Sequence, residues 1–208
     1  MKILICDDHK IVRDGLGQIL RQLPGITLIT EAGSGDELLD KMKSDNFNII
    51  LLDISLPDKN GLEVLQSVKT RYPATNVLML SMHPQEQYAK RALVLGASGY
   101  LTKDTASDEL LLAVQKVSEG GKYISQSLAE NLADHLSRDE KQLDHEVLSG
   151  REFEIMIKLA NGRSLQEIAN ELFISNKTVS TYRSRIMEKM EFHKNTELTR
   201  YCIENNLI

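Results

Sequence analysis

At 208 residues the chain has room for one or two domains, and 41% hydrophobic with 26% charged residues fits an ordinary globular protein. A net charge of −5 excludes a basic protein overall, and no apolar stretch approaches the ~18 residues of a membrane span, so a cytoplasmic protein is expected. Cys6 and Cys202 are the only cysteines and no structural disulfide is expected; the five histidines show no metal-ligand spacing.

The first 120 residues alternate between two patterns. Short apolar or β-branched runs predict strands at Ile3–Cys6, Ile26–Thr30, Ile49–Asp53, Val77–Ser81 and Gly99–Leu101. Amphipathic segments between them predict helices around 9–22, 35–45, 61–72, 85–95 and 107–119. In the first of these, Ile11, Val12, Leu16, Ile19, Leu20 and Leu23 share one face. Gly96 and the Gly120-Gly121 pair follow helices as C-terminal stops. Five β-α units of this length predict an α/β fold with a doubly wound parallel sheet.

Residues 122–146 lose that rhythm and are polar and acidic, with Leu128, Leu132 and Leu136 at i, i+4 and i+8, which reads as a partly helical linker. From 147 onward the pattern is wholly helical. Charge is uneven: residues 1–121 hold 13 basic and 16 acidic side chains, residues 122–146 hold 3 and 6, and residues 147–208 hold 9 and 8. Residues 175–190 carry Lys177, Arg183, Arg185 and Lys189 against Glu188 alone, a local basic helix suited to a focused anionic partner.

In an open parallel sheet, ligands sit beyond the carboxyl ends of the strands. Asp7 and Asp8 follow the first predicted strand, Asp53 ends the third, Ser81 ends the fourth and Lys103 follows the fifth. Alone, each reads as a turn or cap residue; together they place five polar groups on one edge. Clustered carboxylates do not ionise cheaply without a cation, and Mg²⁺ suits one or two carboxylates plus waters. Lys103 offers a compact charge for phosphoryl oxygens, a carboxylate beside it can attack phosphorus, and the Ser81 hydroxyl can donate to the product.

The stretches ICDDHKIVRDGL, ILLDISLPDKNGLEVL, VLMLS and GASGYLTKD resemble the receiver domain of two-component response regulators over residues 1–120. The resemblance implies a flavodoxin-like five-stranded sheet in the order 2-1-3-4-5. It implies Asp53 as phosphoacceptor, with Mg²⁺ held by Asp8, Asp53 and the backbone carbonyl of Ser55, and by Asp7 mainly through water. It also implies Lys103 as the phosphoryl partner, and Ser81 with Tyr100 as a switch pair whose ring turns inward. Ser81 stands where threonine is common and Asp104 where proline is common. Met82, His83 and Ser55 fall at the expected mouth of the site.

In LSGREFEIMIKLANGRSLQEIANELFISNKTVSTYRSRIMEKM, helices are predicted at about 151–161, at about 165–172 behind an N-cap at Ser164, and from near Lys177. On the last, Val179, Ile186 and Met190 share an apolar face, Lys177, Thr181, Ser184 and Glu188 point the opposite way, and Ser180 and Arg185 sit on the shoulders. That suits a recognition helix in a major groove. Residues 147–208 resemble the LuxR-type helix-turn-helix, so the whole chain is similar to NarL/FixJ-like response regulators. The resemblance implies base contacts from Ser180, Thr181 and Ser184, phosphate contacts from Lys177, Thr178, Tyr182 and Arg185, and a fourth helix at 196–205. Ser180 and Ser184 replace the Lys or Arg of many relatives, which favours hydroxyl, water or shape readout. Glu191 stands where glycine is usual, and Gly150 where proline is common.

The implied organisation is a receiver at 1–121, a linker at 122–146 and a DNA-binding domain at 147–208. The implied function is a bacterial transcription regulator whose phosphorylation by a sensor histidine kinase favours a homodimer on double-stranded DNA. It is no enzyme beyond catalysing its own phosphoryl transfer and dephosphorylation. Two alternatives stay open: a phosphate-independent LuxR-type regulator, and a phosphatase with an Asp nucleophile. The second wants an acid two residues past Asp53, where Ser55 stands.

Overall fold

A computed structural model describes residues 1–82, 86–104, 107–125, 128–130, 144–205 and 207–208, in two units, Met1–Arg138 and Asp139–Ile208. In the first, β1 (Lys2–Cys6), β2 (Leu28–Ala32), β3 (Ile49–Asp53), β4 (Asn76–Ser81), β5 (Gly99–Thr102) and β6 (Tyr123–Ile124) form one sheet. Helices α1 (Lys10–Leu20), α2 (Gly35–Ser44), α3 (Gly61–Arg71), α4 (Glu86–Val94) and α5 (Ser107–Ser118) connect them. Every pairing is parallel, in the order β2-β1-β3-β4-β5-β6. The sheet is thus six-stranded rather than five-stranded, while the expected order of the first five holds.

The sixth strand lies at the start of the stretch read as linker. Two residues cannot display a period-2 pattern, so it left no signal in the sequence. It forms because Gly99 lets the chain close in: a Cβ there would stand 2.3 Å from the Tyr123 carbonyl oxygen. Leu132 and Leu136 of the expected linker helix lie outside the described residues. β2 begins two residues later than expected because its register with β1 runs from Lys2↔Leu28 to Cys6↔Ala32.

All five residues of β3 are buried, as a strand covered on both faces requires. Ile3, Ile5, Ile49, Leu51, Leu78 and Leu80 pack on one side with Leu20 of α1 and with Leu110, Val114 and Val117 of α5. The alternate residues Leu4, Ile50, Leu52 and Met79 are also fully buried. This two-sided burial holds the strand ends in register, and the polar residues after them are carried on a rigid edge.

The second unit opens with a 3₁₀ turn at Asp144–Val147, followed by α6 (Gly150–Ala160), α7 (Leu165–Glu171), α8 (Asn176–Lys189) and α9 (Asn195–Glu204). Its core is Phe153, Met156, Ile168, Val179, Ile186, Leu198 and Cys202. Ser149 with Glu152, and Ser164 with Glu167, form reciprocal capping boxes on α6 and α7. The buried Arg151 pairs with Glu154 at 2.9 Å and donates to the Leu172 carbonyl at 3.1 Å, tying α6 to the end of α7. His145 packs on Phe153 and its Nδ1 lies 2.9 Å from the Tyr201 hydroxyl. Cys6 and Cys202 are both free and buried.

Three successive helices of this unit end in the same six-residue hydrogen-bonded turn. Gly162, Phe173 and Glu191 each take positive φ, at 80°, 53° and 55°. The following amides reach back to close it: Arg163 to Lys158, Ile174 to Ala169, and Phe192 to Met187. Only the first uses glycine, so Glu191, standing where glycine is usual, carries left-handed backbone strain. Glu191 is exposed, so its side chain compensates little through packing. Glu191→Gly is expected to raise the unfolding free energy by roughly 0.5–1 kcal/mol, the relief of left-handed strain less the added freedom of the unfolded chain. Urea unfolding of the two proteins checks this.

Candidate functional site

The parallel register sets Asp7, Asp53 and Ser81 on one edge, since β1, β3 and β4 all end there. Lys103 follows β5, and its amide donates to the Ser81 carbonyl at 2.7 Å, which turns the side chain back over the edge. Its Nζ lies 2.7 Å from Asp7 Oδ2 and 2.7 Å from Asp53 Oδ2. Asp7 is fully buried and Asp53 is 2% exposed. Burial pushes the Asp53 carboxyl up to about 6; Lys103 opposes the rise and Asp7 adds to it. Burial lowers the Lys103 ammonium, but Asp53 and Asp7 outweigh it and the net shift is upward.

The loops that carry these groups are tied from several sides. A Cβ at Gly61 would lie 2.1 Å from the Asp53 carbonyl oxygen, so only glycine lets α3 begin against the end of β3. Asn60 caps α3 by accepting from Leu62 N at 2.9 Å. Asp58 accepts from Gly35 N at 2.9 Å and Asp36 N at 2.7 Å, which fastens the same loop to the start of α2. Arg13 donates to the carbonyls of Asp7 and Asp8, at 2.7 and 3.2 Å, and pairs with Glu31 at 3.0 Å. Residue spacing assigned Arg13, Asp58 and Gly61 no role; they support the site through backbone contacts that spacing does not reveal.

Ser81 and Tyr100 are buried and joined by a side-chain hydrogen bond. Burial pushes the Tyr100 hydroxyl up to about 12, so it stays protonated. The ring is therefore already inward. Ser55 and Met82, expected at the mouth of the site, are exposed, and His83 lies outside the described residues.

Asp8 Oδ1 is buried and has no well-formed hydrogen bond among the described residues. Asp7 and Asp53 meet on one ammonium and Asp8 lies beside Asp7, a donor set that fits a hard divalent cation. One neighbour was missed in the sequence. His9 Nδ1 stands 2.7 Å from Asp8 Oδ1, and ligand atoms of Asp7, Asp8 and His9 all fall within 4.8 Å of one another. The adjacency Asp-Asp-His was visible, but three consecutive residues match no helical or hairpin ligand spacing.

On α8, Val179 and Ile186 are buried, while Lys177, Ser180, Thr181, Ser184 and Arg185 are exposed, as the helical projection predicts. Ser175, Lys177, Thr178, Thr181, Tyr182 and Arg185 line a shallow hollow of about 300 Å³. Thr181 and Ser184 donate their hydroxyls to carbonyls four residues back, at 3.0 and 3.1 Å. Arg183 is held by Asn195 Oδ1 at 3.0 and 2.8 Å, and Lys189 pairs with Glu152 at 2.6 Å. Those two cations of the basic stretch brace the unit; Lys177 and Arg185 remain on its outer face.

A parallel α/β sheet with an acid cluster on its carboxyl edge, joined to a four-helix unit with a helix-turn-helix, defines a class of two-domain DNA-binding regulators. The chain belongs to the response regulators: residues 3–115 match the response regulator receiver domain, and residues 146–202 match the bacterial regulatory proteins of the luxR family. It is 30% identical over 208 residues to the response regulator UvrY of Escherichia coli K12, covering 100% of this chain and 95% of that protein. It is 33% identical to the transcriptional regulatory protein DegU of Brevibacillus brevis, with 100% and 95% coverage. A solved structure of two RcsB dimers bound to two parallel DNAs is 25% identical, covers 97% of each chain and gives a TM-score of 0.61. The chain is thus a DNA-binding transcription regulator of the two-component type.

The raised Asp53 pKa fixes the sign of a pH effect. Between its ordinary value near 3.8 and about 6, the folded chain keeps a proton that the unfolded chain has released. Stability therefore falls as pH rises through that window, by roughly 2–3 kcal/mol in all. In the presence of a chelator, parent protein is expected to lose stability between pH 4 and 7 relative to Asp53→Asn. Thermal melts across that range read the difference.

Proposed function

We propose that Asp53 is the phosphoacceptor of this regulator and that a sensor histidine kinase supplies the phosphoryl group. The observation that carries the reading is the meeting of Asp53 and Asp7 on Lys103 Nζ, at 2.7 Å each, on the carboxyl edge of the sheet. Asp53 Oδ attacks phosphorus, the P–N bond to the kinase histidine breaks, and the leaving imidazole takes a proton. The product is an acyl phosphate on Asp53. Lys103 follows the phosphoryl oxygens as a mobile point charge. Mg²⁺ held by Asp8, Asp53 and the Ser55 carbonyl, with Asp7 acting through water, would neutralise charge on those oxygens. The same groups serve the chain's own hydrolysis of the acyl phosphate, so its catalysis is confined to its own modification.

Ser81 then exchanges Tyr100 for a phosphoryl oxygen. Because the ring is already buried, the phosphoryl group selects that arrangement rather than creating it. The receiver face near β4 and β5 is biased in turn, which favours a homodimer that places two α8 helices on adjacent half-sites. The RcsB dimers bound to DNA support this by similarity. On α8, Ser180, Thr181 and Ser184 face bases, and Lys177, Thr178, Tyr182 and Arg185 face phosphates. The setting is the bacterial cytoplasm, with the receiver and DNA-binding domains joined by a linker.

Incubation with a small labelled phosphoryl donor and Mg²⁺ tests the first step. Parent protein is expected to take up label and Asp53→Ala to take up none while keeping its circular dichroism spectrum; label retained by Asp53→Ala rejects the acceptor. Sedimentation with a phosphoryl mimic is expected to show dimerisation. Absence of labelling in parent protein would favour a phosphate-independent regulator, and turnover of a generic phosphate ester a phosphatase.

Lys177→Ala and Arg185→Ala are each expected to weaken binding to all DNA sequences and to reduce the slope of log K against log salt by about 1. Titrations from low to moderate salt measure the slopes; an unchanged slope removes that residue from the phosphate contacts.

A further inference from the structure

The Mg²⁺ site leaves His9 without a task, and its position suits a ligand. The His9 ring nitrogen Nδ1 lies 2.7 Å from Asp8 Oδ1 and 3.4 Å from Asp7 Oδ1. The shorter contact is at ion-pair distance, and Asp8 Oδ1, which is buried, has no well-formed hydrogen bond among the described residues, so a shared cation would satisfy both atoms. Donors occupying adjacent positions around a metal with bonds near 2.1 Å stand about 3 Å apart, so both separations bracket that value. Three such atoms on one loop, within 4.8 Å of one another, are close enough to bind one ion together.

The loop is held still. The backbone N–H of His9 donates to Asp7 Oδ1 at 2.9 Å, and Arg13 grips the carbonyls of Asp7 and Asp8. His9 occupies the N-cap of α1, yet its side chain makes no capping bond, so the imidazole is not committed to the helix. Lys10 pairs with Asp14 at 2.7 Å and does not supply this charge. An exposed His–Asp ion pair would contribute little to stability, at most about 1 kcal/mol.

We propose that His9 is an additional ligand of this pocket that lets imidazole-binding first-row ions, Zn²⁺, Ni²⁺ and Co²⁺, compete with Mg²⁺ for Asp7 and Asp8. The proposal rests on the cation-site reading given above. Mg²⁺ has little use for an imidazole, whereas affinity for nitrogen ligands rises along the first row towards Ni²⁺ and Cu²⁺. With the ring proton on Nε2, Nδ1 offers its lone pair. Such an ion would take His9 in place of water, leaving one exchangeable position fewer for a phosphoryl oxygen. Phosphoryl transfer would then depend on which cation the cell supplies.

Mn²⁺ bound by the full chain serves as the reporter, read from loss of the free-ion electron paramagnetic resonance signal, with Mg²⁺ and Ni²⁺ as displacers. In His9→Ala and His9→Gln, the Ni²⁺ concentration for half-displacement is expected to rise at least tenfold, and that for Mg²⁺ to change by less than about twofold. Co²⁺ added to parent protein should give visible absorption bands that both variants lose. Metal-free melting temperatures close to parent confirm that the fold is kept. Equal shifts for Mg²⁺ and Ni²⁺, or no shift in either, overturn the role of His9 and leave the cation site standing. Mn²⁺ retention that is absent in parent, or unchanged in Asp8→Asn, removes the cation site and the proposal with it.

Discussion

Two buried carboxylates share one ammonium at the carboxyl edge of the sheet, and much of the receiver unit exists to hold them there. Asp7 and Asp53 approach Lys103 Nζ at 2.7 Å from strands β1 and β3, while Lys103 comes from the end of β5. Left to itself the loop after a strand would move such groups apart, because like charges in a poorly solvated place repel. Two-sided burial of β3, the close start of α3 at Gly61, the Asp58 anchor on α2 and the Arg13 clamp all resist that movement. The result is a buried edge that carries more carboxylates than ammonium groups. Asp53 is raised by burial more than it is lowered by Lys103, so desolvation dominates there.

The DNA-binding unit solves a different problem. Its recognition helix must expose hydroxyls and cations without losing its place on a small core. Val179 and Ile186 anchor it from below, and Arg183 and Lys189 are spent on Asn195 and Glu152. Thr181 and Ser184 satisfy their hydroxyls on their own helix, so they are not left wanting partners in the absence of DNA. The tight helix ends at Phe173 and Glu191 accept left-handed backbone without glycine. Phe173, 74% exposed, sits in the turn that sets the angle between α7 and α8.

Much of this was legible in the sequence for physical reasons. Apolar runs bounded by polar residues locate β1, β3, β4 and β5 because a strand buried on both faces has little room for anything else. Asp7, Asp8, Asp53, Ser81 and Lys103 could be grouped because parallel topology sends every strand end to one edge. The apolar stripe of α8 follows from helical periodicity. β6 was not legible, since two residues show no period, and β2 was displaced because an edge strand takes its bounds from pairing rather than from its own pattern.

By itself, the sequence determined which elements form, the side of the sheet on which the acids gather, the face of α8 that meets solvent, and the family to which the chain belongs. Those depend on periodicity and on residue type, which are local. Only the tertiary structure decided that His9 turns onto Asp8, that Arg13 holds the backbone beneath both acids, that Tyr100 already lies inward on Ser81, and that Glu191 bears positive φ. These are distances and angles set by how separate segments close on one another, and no spacing along the chain encodes them.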